Sequence, residues 1–158
     1  MECGCPHHVA GSSSEVKVCP VKVYLSNLAV WTAKLHNLHW NVVGINFFSL
    51  HEYTEKLYDE TFEQYDSVAE AMKIRDGMPP VRLSEYLELA TIKELDAKEF
   101  RPEEVLQELF NDMTLMANLA REIRAGADQK GDDQLVALFD GFIGYYDKQL
   151  WFLRATMK

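Results

Sequence analysis

From Phe47 to Arg75 the chain contains neither glycine nor proline, and this stretch is bounded by Gly44 on one side and by Gly77-Met78-Pro79-Pro80 on the other. Such a run predicts one long helix with a firm stop. A long helix with an apolar stripe must bury that stripe against partners. The rest of the chain supplies them. Leu25, Leu28, Ala29, Trp31, Thr32, Leu35, Leu38 and Val42 fall near i, i+3, i+4, i+7 spacing, which predicts a first helix from Val21, with Gly44 as its C-cap residue. Asn46 or Ser49 is the expected N-cap of the long second helix. Ser84 to Leu89 reads as a short connecting helix. Arg101-Pro102-Glu103-Glu104 opens another long helix, with Pro102 in the first turn, where its missing N–H costs nothing. Its stripe is Val105, Leu106, Leu109, Phe110, Met113, Met116, Ala117, Ala120 and Ile123. Residues 126–133 read as a loop, and a last helix runs from about Asp132 to Thr156. No alternating strand pattern or Asn-Gly hairpin is present. The expected fold is all-α: a four-helix bundle with a short extra helix in the crossover between the second and third long helices.

At 158 residues the chain is long enough for one domain with a real core. Residues 1–20 read as a flexible, Cys- and His-containing tail, with Gly11-Ser12-Ser13-Ser14 and two prolines; 21–158 form the bundle. No apolar run is long enough to span a bilayer and no apolar leader is evident, so a cytoplasmic protein without membrane contact is expected. The 16 basic and 25 acidic residues leave a net charge of -9. That opposes a general affinity for nucleic acid and suits the handling of cations, although a negative surface also simply maintains solubility. The three cysteines, Cys3, Cys5 and Cys19, all precede the bundle, so they form no disulfide framework for its core.

Candidate metal ligands are unevenly placed. His39 lies near the end of the first helix and His51 near the start of the second. Asp66 and Glu70 lie one turn apart near the far end of the second, on one face. Imidazole and carboxylate together suit iron, manganese or zinc. His51 and Asp66 are separated by 15 positions, roughly 22 Å along an unbroken helix. One metal cannot touch both. Either these are unrelated features, or the carboxylates meet the histidines of another copy. A two-fold dimer with antiparallel second helices does this, its axis passing between Tyr58 and Asp59, and it makes two equal sites. The sequence lacks Glu-x-x-His and His-Glu-x-x-His, which argues against an intrachain di-iron bundle site and a zinc protease. His36 is expected in core or interface packing, and Asp59 and Glu63 on a solvated or cavity-lining face. Tyr145, Tyr146 and Trp151 are expected to be ordinary packing residues.

The stretch Leu35-His36-Asn37-Leu38-His39-Trp40-Asn41-Val42-Val43-Gly44, then Asn46-Phe47-Phe48-x-Leu50-His51-Glu52, then Asp66-x-x-Ala69-Glu70, resembles the signature of the Dps family, the mini-ferritins. Asp147-Lys148-x-Leu150-Trp151-x-Leu153-Arg154-Ala155 is similar to that family's last helix. The resemblance covers about Val21 to Met157. It implies a ferritin-like bundle assembled as a hollow dodecamer of two-fold dimers. It further implies a ferroxidase that oxidises Fe(II), preferably with hydrogen peroxide, and stores Fe(III) mineral. Carried over, His39 and His51 bind iron from one subunit, and Asp66 and Glu70 from its mate. Glu55 corresponds to an acid that helps a second, weaker iron, and Trp40 to a side chain beside the site that intercepts stray radicals. Asp128 and Asp133 match pore acids of the family. With Asp132, they would attract cations at a three-fold axis, though an aspartate there also suits a helix cap.

The tail departs from the family pattern. Lys17 stands against Glu2 and Glu15, where many members carry basic, DNA-holding tails. DNA compaction with a secondary metal site is therefore the alternative function. Cys3, Cys5, His7, His8 and Cys19 offer thiolate and imidazole donors suited to Zn(II), although their spacing matches no standard zinc pattern. A purely structural bundle with a zinc-bound tail is the third reading.

Overall fold

A computed structural model describes residues 18–158. It contains α1 (Pro20–Asn41), α2 (Phe47–Ile74), α3 (Leu83–Leu89), α4 (Pro102–Gln129) and α5 (Asp133–Thr156). Short turns make α1 and α2, and then α4 and α5, antiparallel pairs; the crossover between them carries α3. This is the ferritin-like four-helix bundle with an extra helix. The only strand-like feature among the described residues is an isolated bridge between Val42 and Phe100.

The buried stripes meet in one core. Tyr24, Leu25, Leu28, Trp31, Leu35 and Leu38 of α1 pack with Leu57, Val68 and Met72 of α2, Leu109, Met113 and Met116 of α4, and Phe139 and Tyr146 of α5. Two local rules and one distant pairing decide the ends. Pro20, expected in the tail, instead opens α1, its fixed φ suiting the first turn. The first helix ends at Asn41 rather than at Gly44, because Val42 turns extended and the chain pairs with Phe100: the Val43 N–H donates to the Phe100 carbonyl (2.9 Å) and the Phe100 N–H to that of Asn41 (2.9 Å). Gly44 then adopts φ +103°, which makes the turn into α2. Asn46 occupies the N-cap position of α2, yet its side chain makes no cap hydrogen bond.

At the other end α4 continues through the expected loop as far as Gln129. Ala127 is buried against the core, and Arg124 pairs with Asp128 at 3.0 Å one turn later, so packing and an i,i+4 pair carry the helix past Gly126. Gly131, at φ +68°, makes the turn instead. The Asp132 side chain accepts from the Leu135 N–H (3.1 Å) and caps α5. It also takes both arms of Arg75 (2.5 Å each), which ties the end of α2 to the start of α5. The crossover is held from α1: the buried Asn27 accepts from the N–H groups of Thr91 (2.7 Å) and Ile92 (3.0 Å).

Candidate metal centre

The turn at Gly44 folds the start of α2 back on the last turn of α1, and that brings His39 and His51 together. Their rings stack with centroids 3.6 Å apart and planes 21° from parallel. Each ring donates from Nδ1 to the backbone carbonyl of the other: His39 to His51 at 2.8 Å, His51 to His39 at 3.0 Å. Thr54 Oγ1, one turn into α2, shares the His39 proton at 3.2 Å while donating its own to the Leu50 carbonyl (2.7 Å). With the proton on Nδ1, each neutral imidazole keeps its lone pair on Nε2, the form that binds a metal. Phe47 lies against the outer side of His51, 5.1 Å between centroids. His39 is buried and His51 half-buried, so the pair is held rigidly at the mouth of the α1–α2 seam.

Among the described residues no three His, Cys, Asp or Glu side chains lie close enough to hold one ion. Asp66 and Glu70 are exposed; α2 is unbroken between them and His51, so the separation of roughly 22 Å holds. Glu55 is likewise exposed, one turn beyond His51.

Beside His39 lies an aromatic ladder. Tyr58 presents its ring to the edge of His39 (5.3 Å, 88°), and His36 stacks on Tyr58 (4.0 Å, 17°). Trp40, exposed, lies 5.3 Å from His36. His36 donates from Nδ1 to the Thr32 carbonyl at 2.7 Å. Thr32, His36, Tyr58, Asp59, Phe62 and Glu63 line a shallow hollow of about 420 Å³. His36 is thus a packing residue of an open face, as its position predicts. Burial, with Glu55 and Asp59 nearby, pushes the Tyr58 phenol up.

The remaining candidates sort as follows. Asp132 is engaged by its cap and by Arg75, which holds its carboxyl below the usual range. Asp128 and Asp133 are exposed. Trp151 does not pack in the core as expected but stands on the surface, because the inward positions of that turn are taken by Leu150 and Leu153. Cys19 precedes α1 directly, and Cys3, Cys5, His7 and His8 lie outside the described residues. A buried charge cluster escaped the sequence: Lys34 of α1 reaches Asp112 (2.7 Å) and Glu108 (2.9 Å) of α4, and burial pushes the Asp112 carboxyl up to about 6 against the pull of Lys34. Thr54 and Tyr58 escaped too. Their spacing from His51 places them on the His51 face of the helix, but nothing in their chemistry marks them as site residues.

A family model described as a ferritin-like domain matches residues 24–158. General stress protein 20U of Bacillus subtilis is 35% identical over 148 residues, covering 91% of this chain and 99% of the relative. The DNA protection during starvation protein of Listeria innocua is 33% identical over 134 residues, covering 84% and 86%. The chain belongs to the Dps family of ferritin-like proteins. A solved Dps protein from Vibrio cholerae O1, described as a member of a broad superfamily of ferritin-like diiron-carboxylate proteins, superposes with a TM-score of 0.84 at 28% identity, covering 88% of this chain and 87% of that one. The Dps assignment spans every helix of the bundle, and His39, His51, Asp66 and Glu70 lie within it. No helix of the described residues is long and apolar enough to cross a membrane.

Proposed function

We propose that this Dps-family protein is a ferroxidase and iron store, with each iron site shared by two subunits. His39 and His51 of one copy and Asp66 and Glu70 of its mate would bind Fe(II) as substrate, with Glu55 near enough to assist a second ion. Neutral imidazoles and carboxylates hold Fe(II) loosely and favour Fe(III) through oxygen ligation and negative charge. Oxidation by hydrogen peroxide balances as two Fe(II), one peroxide and two protons giving two Fe(III) and two waters. The product would collect as mineral inside a dodecamer of two-fold dimers, with Asp128 and Asp133 as cation-attracting acids of an entry pore.

The observation that carries this reading is the reciprocal His39–His51 clasp. It orients two imidazoles with no third donor among the described residues of the same chain, while two exposed carboxylates stand at the far end of the same helix. The exposed apolar side chains support it. Ile45 (98% exposed) and Phe48 (79%) stand at the start of α2, Ile74 (70%) and Met78 (71%) at its end. Antiparallel pairing that sets His51 opposite Asp66 also sets one apolar end against the other, removing surface that a lone chain would leave in water.

The test is anaerobic Fe(II) titration with peroxide, alongside a solution mass. His39→Ala combined with Asp66→Ala is expected to slow oxidation by about 10- to 100-fold while the assembly mass stays unchanged. Unaltered peroxide consumption in that variant refutes the site. DNA compaction is the weaker reading for a chain with a net charge of -9, although the name of the Listeria relative speaks of DNA protection. Tight DNA retention at moderate salt would reverse that order.

A further inference from the structure

The seam between α4 and α5 carries a ladder of opposite charges. Asp133, Asp140 and Asp147 recur every seven positions along α5, which places them on one stripe. On α4, Arg121, Arg124 and Asp128 stand at i, i+3 and i+7, again one stripe. Arg121 pairs with Asp147, and the Arg124 Nε donates to Asp140 at 3.1 Å. At the rung nearest the turn both stripes place an aspartate, Asp128 and Asp133, the acids of the proposed entry. Arg124 reaches forward to that rung as well: its Nη1 donates to Asp128 at 3.0 Å.

One guanidinium therefore lies between two carboxylates on two helices, and its planar fork of donors lets it hold both at once. Arg124 is half-buried and both acids are exposed, so each pair is screened by water and costs little to exchange. A divalent cation arriving at Asp128 repels the arginine. Asp140 keeps hold of the Nε while the bond from Nη1 is given up, so Arg124 leaves Asp128 without losing its counter-charge. With Asp128 as its sole partner, the arginine would hold that acid against the cation.

We propose that Arg124 is a charge latch on the cation entry: it governs how readily Asp128 takes a passing cation, and Asp140 is the carboxylate that holds the arginine aside. The inference rests on the reading of Asp128 and Asp133 as entry acids. Arg124 and Asp140 are positioning residues, acting on the cation through Asp128. Initial rates of Fe(II) oxidation by peroxide, measured against Fe(II) concentration, separate entry from chemistry. At low Fe(II) the rate follows arrival, and at saturating Fe(II) it follows the oxidation sites. Ionic strength of about 0.1 M, with a Debye length of about 10 Å, suppresses the influence of distant charges.

Arg124→Gln is expected to raise the low-iron rate by about two- to fivefold, the effect of losing an exposed ion pair, with the plateau rate and the assembly mass unchanged. Asp140→Asn confines the arginine to Asp128 and should lower the low-iron rate by a similar factor. Combining the two substitutions separates a latch from a general loss of negative charge. With Arg124 already replaced, Asp140→Asn is expected to change nothing, so the double variant loads at the rate of Arg124→Gln. If Asp140→Asn slows loading by the same factor in both backgrounds, or if Arg124→Gln loads no faster than the wild type, the latch is overturned. Asp128→Asn with Asp133→Asn tests the underlying reading: a wild-type low-iron rate in that variant overturns the entry, and the latch with it.

Discussion

Two crippled versions of this chain should restore one another. One version carries His39→Ala and His51→Ala; the other carries Asp66→Ala and Glu70→Ala. Each homo-assembly lacks half the donors at every site and should be inactive. In a mixed dimer, one site takes its histidines from the second version and its carboxylates from the first, and is complete. The sister site is left with none of the four ligands. With equal amounts assorting at random, half the dimers are mixed and each has one working site, so about a quarter of all sites recover. If the histidines and carboxylates of one chain served a common ion, recovery would be nil at any ratio. The assay is the initial rate of Fe(II) oxidation by peroxide in co-assembled particles, plotted against mixing ratio. A maximum near equal proportions, at about a quarter of the wild-type rate, is expected from this pairing. Particles shown by mass to contain both versions, yet inactive throughout, would refute the two-copy geometry. The four substituted positions are half-buried or exposed, except for His39, so folding should survive.

Four further outcomes are expected. Thr54→Val removes one of two acceptors for the His39 proton and should weaken anaerobic Fe(II) binding by up to about tenfold, read by titration. Lys34→Met leaves Asp112 buried beside Glu108 without its counter-charge and should cost about 3–5 kcal/mol in guanidinium unfolding at fixed protein concentration; Lys34→Met with Asp112→Leu should recover most of it. Asp128→Asn with Asp133→Asn should slow mineral loading, with the deficit shrinking as salt rises and screens the wild-type acids. Asp132 has a lowered folded pKa, so its contribution is present above the ordinary carboxylate range and lost as pH falls through that lowered value. Asp132→Ala should therefore lower the melting temperature at neutral pH, and the gap should close in strong acid.

How much of this was readable in advance depended on whether the deciding interaction was local. The long α2 was legible because its start, its stop and its stripe all lie within one continuous segment. The separation of His51 from Asp66 was legible because α2 is unbroken and helix rise converts spacing into a distance, one too long for a single ion to touch both. The α1 terminus was misjudged because Phe100, some sixty positions away, captures Asn41 and Val43 through backbone hydrogen bonds. Gly126 was read as a loop because its intrinsic cost is local, whereas the burial of Ala127 that offsets it belongs to the packed bundle. The carbonyl partners of His39 and His51 were invisible, since backbone oxygens are the same under every sequence. Nothing in the sequence marks Lys34 and Asp112 for burial, and only the packing of α1 on α4 sets them inside.

The uninterrupted α2 acts as a ruler. Adding or removing one residue between positions 51 and 66 would swing every downstream side chain by about 100° around the axis and slide it by about 1.5 Å. In the proposed site, Asp66 and Glu70 would then point away from the neighbouring subunit's histidines even though every ligand was still encoded. In this segment substitutions can be absorbed, whereas changes of length cannot, and the pitch of the helix is as much a part of the proposed iron site as the groups that would grip the ion.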